Sequence, residues 1–145
     1  DGNILVRING ADKPIKTSVY GLEGIAESGL GIVVEDYSKI DKTFNKKAIE
    51  NQVELRLRQA GIKVGGNDVY LYINALPYHN FMRLSIQANR TVTFEANGKT
   101  YEKFGATVWE EGGIFGKSLL REQINKGIDA FLLDYLKANP KKTEP

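Results

Sequence analysis

The stretch Phe81-Met82-Arg83-Leu84-Ser85-Ile86-Gln87-Ala88-Asn89-Arg90-Thr91-Val92-Thr93-Phe94-Glu95-Ala96 is followed at once by Asn97-Gly98 and then by Lys99 to Glu110. Met82, Leu84, Ile86, Ala88, Val92 and Phe94 fall on one side of a two-residue repeat, and Arg83, Ser85, Gln87, Asn89, Thr91 and Thr93 on the other. Successive side chains of a strand point to opposite faces, so this is one long strand with an apolar and a solvated face, as antiparallel sheets have. Arg90 alone breaks the pattern. Asn-Gly tolerates the left-handed backbone of a tight hairpin. Lys99 to Glu110 is therefore predicted to return alongside, with Phe104, Ala106 and Val108 facing inward.

Working outward, Val69 to Ala75 reads as another strand, with Leu71 and Ile73 on one face, Tyr70 and Tyr72 on the other, and Pro77 closing it. Ile62 to Val64 lead into a turn at Gly65-Gly66-Asn67-Asp68. In Asn45 to Ala60, residues Ile49, Val53, Leu57 and Ala60 recur at helical spacing. Val53 to Arg58 also alternates with period two, as a strand would. Helix is preferred because the flanks are strong helix formers and Gly61 sits where a C-terminal cap belongs. Leu30 to Tyr37 reads as a buried strand, and Ser38 to Thr43 as a polar turn. Beyond the hairpin, Glu111 to Gly116 reads as a glycine-rich loop. Lys117 to Ala138 reads as a helix with a stripe of Leu120, Ile124, Ile128, Phe131 and Tyr135, ended by Pro140.

At the N-terminus, Ile4 to Ile8 reads as a short strand, Asn9-Gly10 as a turn, and Ile15 to Tyr20 as a returning strand. The predicted organisation is an N-terminal arm or hairpin at residues 1–28, a single domain at 29–139 and a disordered tail at 140–145. The fold class is α+β, an α/β sandwich. A mostly antiparallel sheet carries two helices on one face, in the order β-α-β-β-β-α after the arm.

The 145 residues suit one domain, large enough to bury roughly 68–70% of its unfolded surface. Twenty Lys and Arg against 18 Asp and Glu leave a net charge of +2, too balanced to indicate a nucleic-acid partner. With no cysteine, disulfides, thiolate metal sites and thiol catalysis are excluded, and the one histidine, His79, excludes a multi-histidine metal site within one chain. Apolar runs fall far short of the roughly 20 residues of a transmembrane helix. No cofactor motif is read. The chain begins at Asp1 without a signal peptide, which leads to the expectation of a processed or trimmed chain.

Six patterns in the sequence bear on chemistry or binding. Gly112-Gly113-Ile114-Phe115-Gly116-Lys117-Ser118 ends like a phosphate-binding loop, but only three residues separate Gly112 from Gly116 where four are needed, and Glu111 occupies the position that would satisfy the spacing. Gly113, Gly116, Lys117 and Ser118 remain a candidate anion site on the free amides of a helix start. Glu35 with Asp36, and Glu110 with Glu111, are strand-end carboxylates that a hydrolase would use in acid–base roles; neighbours on a strand point apart, which favours solvated ends. His79 sits in a turn without a partner motif. Arg56, Arg58, Arg83 and Arg90 with nearby aromatics suggest a single-strand-binding face, but they are scattered over a helix and a strand. Tyr70, Tyr72, Tyr101 and Trp109 form the candidate interaction face on the outer side of the sheet, to be covered by a partner, a second copy or the arm. Asn89-Arg90-Thr91 matches the glycosylation sequon.

Val53 to Val64, Leu71 to Asn74, Thr107-Val108-Trp109, and Ile128-Asp129, Phe131, Asp134 to Leu136 and Asn139-Pro140 resemble segments of small exported bacterial proteins of uncharacterised function. The layout over about residues 30–140 is similar to envelope domains of the TolB N-terminal, CsgG and LptE types. The lipidated cysteine common among such proteins is absent from this chain. The resemblance implies a periplasmic or secreted domain that binds or assembles and does not catalyse, whose partner is a protein or a second copy and not a nucleic acid.

Overall fold

The computed structural model describes residues 5–8, 11–14 and 21–140. Its elements in chain order are β1 (Leu5–Ile8), β2 (Ala11–Pro14), α1 (Ile25–Ser28), β3 (Gly31–Val34), α2 (Lys46–Gln59), β4 (Val69–Tyr78), β5 (Phe81–Ala96), β6 (Lys99–Gly116) and, after a 3-10 turn at Lys117–Leu119, α3 (Leu120–Ala138). β5 is the axis. β6 pairs antiparallel with it from Phe81 to Ala96 along one edge. On the opposite edge β4 pairs with residues 81–90 and β1 with 93–95, both antiparallel. β3 joins β4 in parallel and β2 joins β1, completing a six-stranded, mostly antiparallel sheet.

Asn97 (φ 52°) and Gly98 (φ 73°) form the expected two-residue turn. In α2 the side chain of Asn45 accepts the Ala48 amide, capping the start. At the other end Gly61 adopts φ 81°, and Ile62 N donates to Leu57 O. That resolves the competing strand signal: Ile49, Val53 and Leu57 are buried against the sheet, while the alternating Leu55 is exposed.

Both helices cover one face. Ile49, Val53, Leu57, Ile124, Ile128, Phe131 and Tyr135 pack on Leu71, Ile73, Ala75, Met82, Leu84, Ile86 and Ala88 in a single cluster. At the crossing Gly127 lets α3 approach closely: a Cβ there would stand 2.4 Å from Ile86 Cδ1. Leu22 and Ile25 are fully buried in the same cluster. Leu22 and Ile25, from the expected arm, thus belong to the core. The other end of the chain is tied to the same place. Asn139 Nδ2 donates to Leu22 O at 2.8 Å, and Gly24 N donates to Asn139 Oδ1 at 2.8 Å.

Four readings are corrected. β6 does not stop at Glu110 but runs through Gly112 and Gly113 to Gly116, so the expected loop is strand. Only glycine fits at 112, where a Cβ would lie 2.1 Å from Leu84 O. β4 runs through Pro77 to Tyr78: β3 ends opposite Ile73, so from there β4 is an edge strand, where a residue without N–H is tolerated. The strand returning from Asn9-Gly10 is Ala11–Pro14; Ile15 to Tyr20 and the tail at 141–145 lie outside the described residues. Finally, Phe104 is 73% exposed; Ala106 lies opposite buried Arg90 and Val108 packs against the core as expected, but the residue directly opposite inward Ala88 is Trp109. The two-residue turn pairs Phe94 with Tyr101, and register shifts at Arg90/Val92 and Ala88/Asn89 each add a residue on β6. Each added residue reverses which face the alternation serves.

Arg90, the one polar residue on the apolar face of β5, is buried. Its Nη1 donates to Gly21 O at 2.9 Å and to Glu23 O at 2.7 Å. Burial pulls its pKa down, yet an arginine stays charged. Replacing it by Met leaves two carbonyls without their donor. Arg90→Met is expected to lower unfolding stability by about 1–3 kcal/mol, read as an earlier urea midpoint; an unchanged midpoint would show that the carbonyls find other donors.

Candidate functional site

The helix-covered face of the sheet leaves the other face uncovered by any described element. Register places its side chains in rows: Tyr70, Asn89 and Thr107; Tyr72, Gln87 and Glu110; Asn74, Ser85 and Gly112; Leu76, Arg83 and Ile114; Tyr78, Phe81 and Gly116. Val33 stands beside Tyr72 from β3. Tyr78, Phe81 and Ile114 are 69%, 56% and 74% exposed, and with Leu76 they surround the single guanidinium of Arg83. The middle rows are polar. Tyr72 OH donates to Glu35 Oε2 at 2.5 Å, Tyr37 OH donates to Asn74 Oδ1 at 2.7 Å, and Glu110 Oε1 accepts from Ser85 and Gln87. The Glu35 carboxylate beside Tyr72, helped by partial burial, pushes that phenol up to about 12.

Two of the four expected face residues are elsewhere. Trp109 is 4% exposed beneath α3, edge-on to Phe131 with centroids 5.4 Å apart, and its Nε1–H donates to Asp134 Oδ2 at 2.8 Å. Tyr101 stacks on Phe94, its direct partner near the hairpin tip, so the two share a face. Tyr70 and Tyr72 are on the outer face, half-buried, with the Gly105 bulge (φ 59°) against the Tyr70 hydroxyl. Leu76, Tyr78, Phe81 and Ile114 went unnoticed in the sequence, although the alternation Tyr70, Tyr72, Asn74, Leu76, Tyr78 carries on past Pro77.

Of the anion candidates, Gly113 and Gly116 are paired strand residues opposite Leu84 and Phe81. The Lys117 amide is taken by Asn80 O. Lys117 and Ser118 line a cleft of about 560 Å³ between the start of α3 and the first half of α2. Its floor is apolar, with Phe44, Ile49, Met82 and Ile124; Asp41, Gln52 and Arg121 stand among its polar lining. Lys117 Nζ donates to Asp41 Oδ2 at 2.9 Å. The hydroxyl of Thr43, then Lys117, then the Thr43 amide hold the Asp41 carboxyl down from 3.8 to about 2.

The remaining candidates do not converge. Glu35 follows the end of β3 and bonds Tyr72, Glu110 on β6 bonds Gln87, and Glu111 points to the opposite face from Glu110. Arg56 is bidentate with Asp129 at 2.7 and 2.6 Å, Arg58 pairs with Glu54, and Arg90 holds backbone carbonyls. His79 is an exposed turn residue with φ 51°. Asn89 of the sequon is buried and accepts from Thr107 Oγ1. Among the described residues no three His, Asp or Glu side chains gather as a metal site would need, and no helix is long and apolar enough to cross a membrane.

No protein-family model matches the chain, and no curated protein sequence does. The crystal structure of a minor lipoprotein from Acinetobacter baumannii is similar over 80% of this chain and 96% of its own, at 12% identity and a TM-score of 0.31. A likeness at that score fixes neither fold nor function.

The Asp41 cluster sets a pH dependence. A carboxyl held below its ordinary value favours the fold when ionised, so its contribution is complete above the unfolded value and is lost as pH falls through the folded one. Thermal unfolding of Asp41→Asn and of the parent chain should therefore differ above 3.8 and converge as pH approaches about 2. Parallel curves over that window would exclude the cluster as the source.

Proposed function

We propose that this chain is a non-catalytic interaction domain of the bacterial envelope or of a secreted protein, and that it docks a protein partner on the uncovered face of its sheet. The observation that carries the reading is the apolar end of that face, where Leu76, Tyr78, Phe81 and Ile114 surround Arg83 with no described element above them. Aromatic and aliphatic anchors around one arginine are the composition that protein interfaces favour. The resemblance in sequence to small exported bacterial proteins supports the compartment.

The test is the double variant Tyr78→Asp with Phe81→Asp. Both side chains are exposed, so the fold should hold within about 0.5 kcal/mol. Cross-linking to an envelope protein, or concentration-dependent mass in light scattering, should be present in the parent and lost in the variant. A parent chain that is monomeric at every concentration and cross-links to nothing overturns the proposal.

The cleft at Lys117 and Ser118 supports a second reading, a small-molecule or anion-binding module. Its volume is within the roughly 300–1,000 Å³ of ligand sites. A carboxylate or phosphate at a hundred times its dissociation constant adds about 2.7 kcal/mol, which appears as a higher melting temperature. Arg121→Ser should diminish that rise; no rise with any such compound removes this reading.

A further inference from the structure

The longest free edge of the sheet belongs to β6. Between Trp109 and Gly116 it pairs with residues 81–88 of β5 without a register shift, and among the described residues no strand pairs with its other edge. Lys117 N donates to Asn80 O, its direct opposite. Hydrogen-bonded and non-hydrogen-bonded positions alternate along an antiparallel pair. Odd-numbered residues from 109 to 117 therefore bond β5, and Glu110, Gly112 and Ile114 turn their N–H and C=O groups to the open edge.

Two features beside that edge select what can join it. A cavity of about 120 Å³ lies between β6 and α3, with Leu84, Ile86 and Phe115 on its apolar side, Glu111, Gln123 and Lys126 on its polar side, and Gly113 and Gly127 between. Gly113 leaves it open, since nothing lies within 4 Å of where a Cβ there would stand, and the cavity lies beside the strand on the helix side of the sheet. Glu111 shares the Gly113 face two residues away, and Glu110 stands on the other face. Among the described residues neither glutamate forms an ion pair, and the nearby cation Lys126 is engaged with Glu122. The edge thus combines unpaired backbone, a small half-apolar socket and two glutamates that form no ion pair among the described residues.

We infer that β6 accepts an extended segment of a protein partner as an added strand, with an apolar residue opposite Gly113 and a basic residue two positions along, opposite Glu111. Main-chain hydrogen bonds would hold the segment, and the socket and the carboxylate would select it. The edge backbone and the helix-side socket do not involve the outer-face side chains of Tyr78 and Phe81, and the inference does not depend on them.

The probe is a short end-blocked threonine peptide carrying one valine and, two residues on, one lysine; its control carries glutamate for the lysine. Amide exchange by NMR on the full chain reads the edge directly. The amides of Glu110, Gly112 and Ile114 should exchange freely in the monomer and become protected by the lysine peptide. The control should bind about tenfold more weakly, and Glu111→Lys should reverse that order. Tyr78→Asp with Phe81→Asp should leave peptide binding unchanged, so the outer-face reading and this one fail separately. Four results would overturn the inference. The first is no protection by the lysine peptide, and the second is equal protection by both peptides. The third is protection already present in the free monomer, with another segment of this chain on the edge. The fourth is protection that rises with dimer mass, with a second copy there.

Discussion

The hydrogen bonding of β5 along both edges is the constraint on which the other elements depend. β6 occupies one edge for its whole length, and β4 and β1 lie end to end along the other. With both edges taken, the register of β5 decides which side chains of three neighbours face the helices. A slip of one residue would send Met82, Leu84, Ile86 and Ala88 to the solvated face and Arg83, Ser85 and Gln87 beneath α2 and α3. The position of Trp109 under α3 follows from the same register, through the two residues added on β6.

Much of this was legible because period-two alternation and end-capping are local signals. The limits of β5, the turn at Asn97-Gly98 and the span of α2 between Asn45 and Gly61 were read correctly for that reason. The errors arose where a distant contact overrules local composition. Glycines at 112, 113 and 116 suggest a loop until the carbonyl of Leu84 is seen to lie where a Cβ at 112 would go. Pro77 suggests a stop until β3 is seen to be too short to need its amide. Arg90 is a violation in a pattern of one strand, and becomes intelligible only with the carbonyls of Gly21 and Glu23, nearly seventy positions away.

The candidate site was half legible for a related reason. Tyr70 and Tyr72 belong to β4, whose alternation is unbroken, and they are on the outer face as expected. Tyr101 and Trp109 belong to β6, whose bulges are invisible in a single sequence, and both were assigned to the wrong side. The lysine and serine at 117 and 118 do meet a concavity, but their surroundings differ from those of a phosphate loop: the lysine is neutralised by Asp41 and its amide is already bonded. Closing one side of the sheet with two helices leaves the other side and the last strand's edge uncovered among the described residues, and the two proposals rest on those surfaces.

The clasp of Asn139 on Leu22 and Gly24 joins positions 115 and 117 residues apart. A chain emerging from the ribosome at about 5–20 residues per second exposes the first partner of that clasp long before the second exists. Until α3 is out, the apolar face of β4, β5 and β6 has only half its cover, and Leu22 and Ile25 have no closed core to enter. Completion of this core therefore waits for Asn139 to emerge, and a nascent chain halted before it leaves the apolar faces of β4, β5 and β6 partly uncovered.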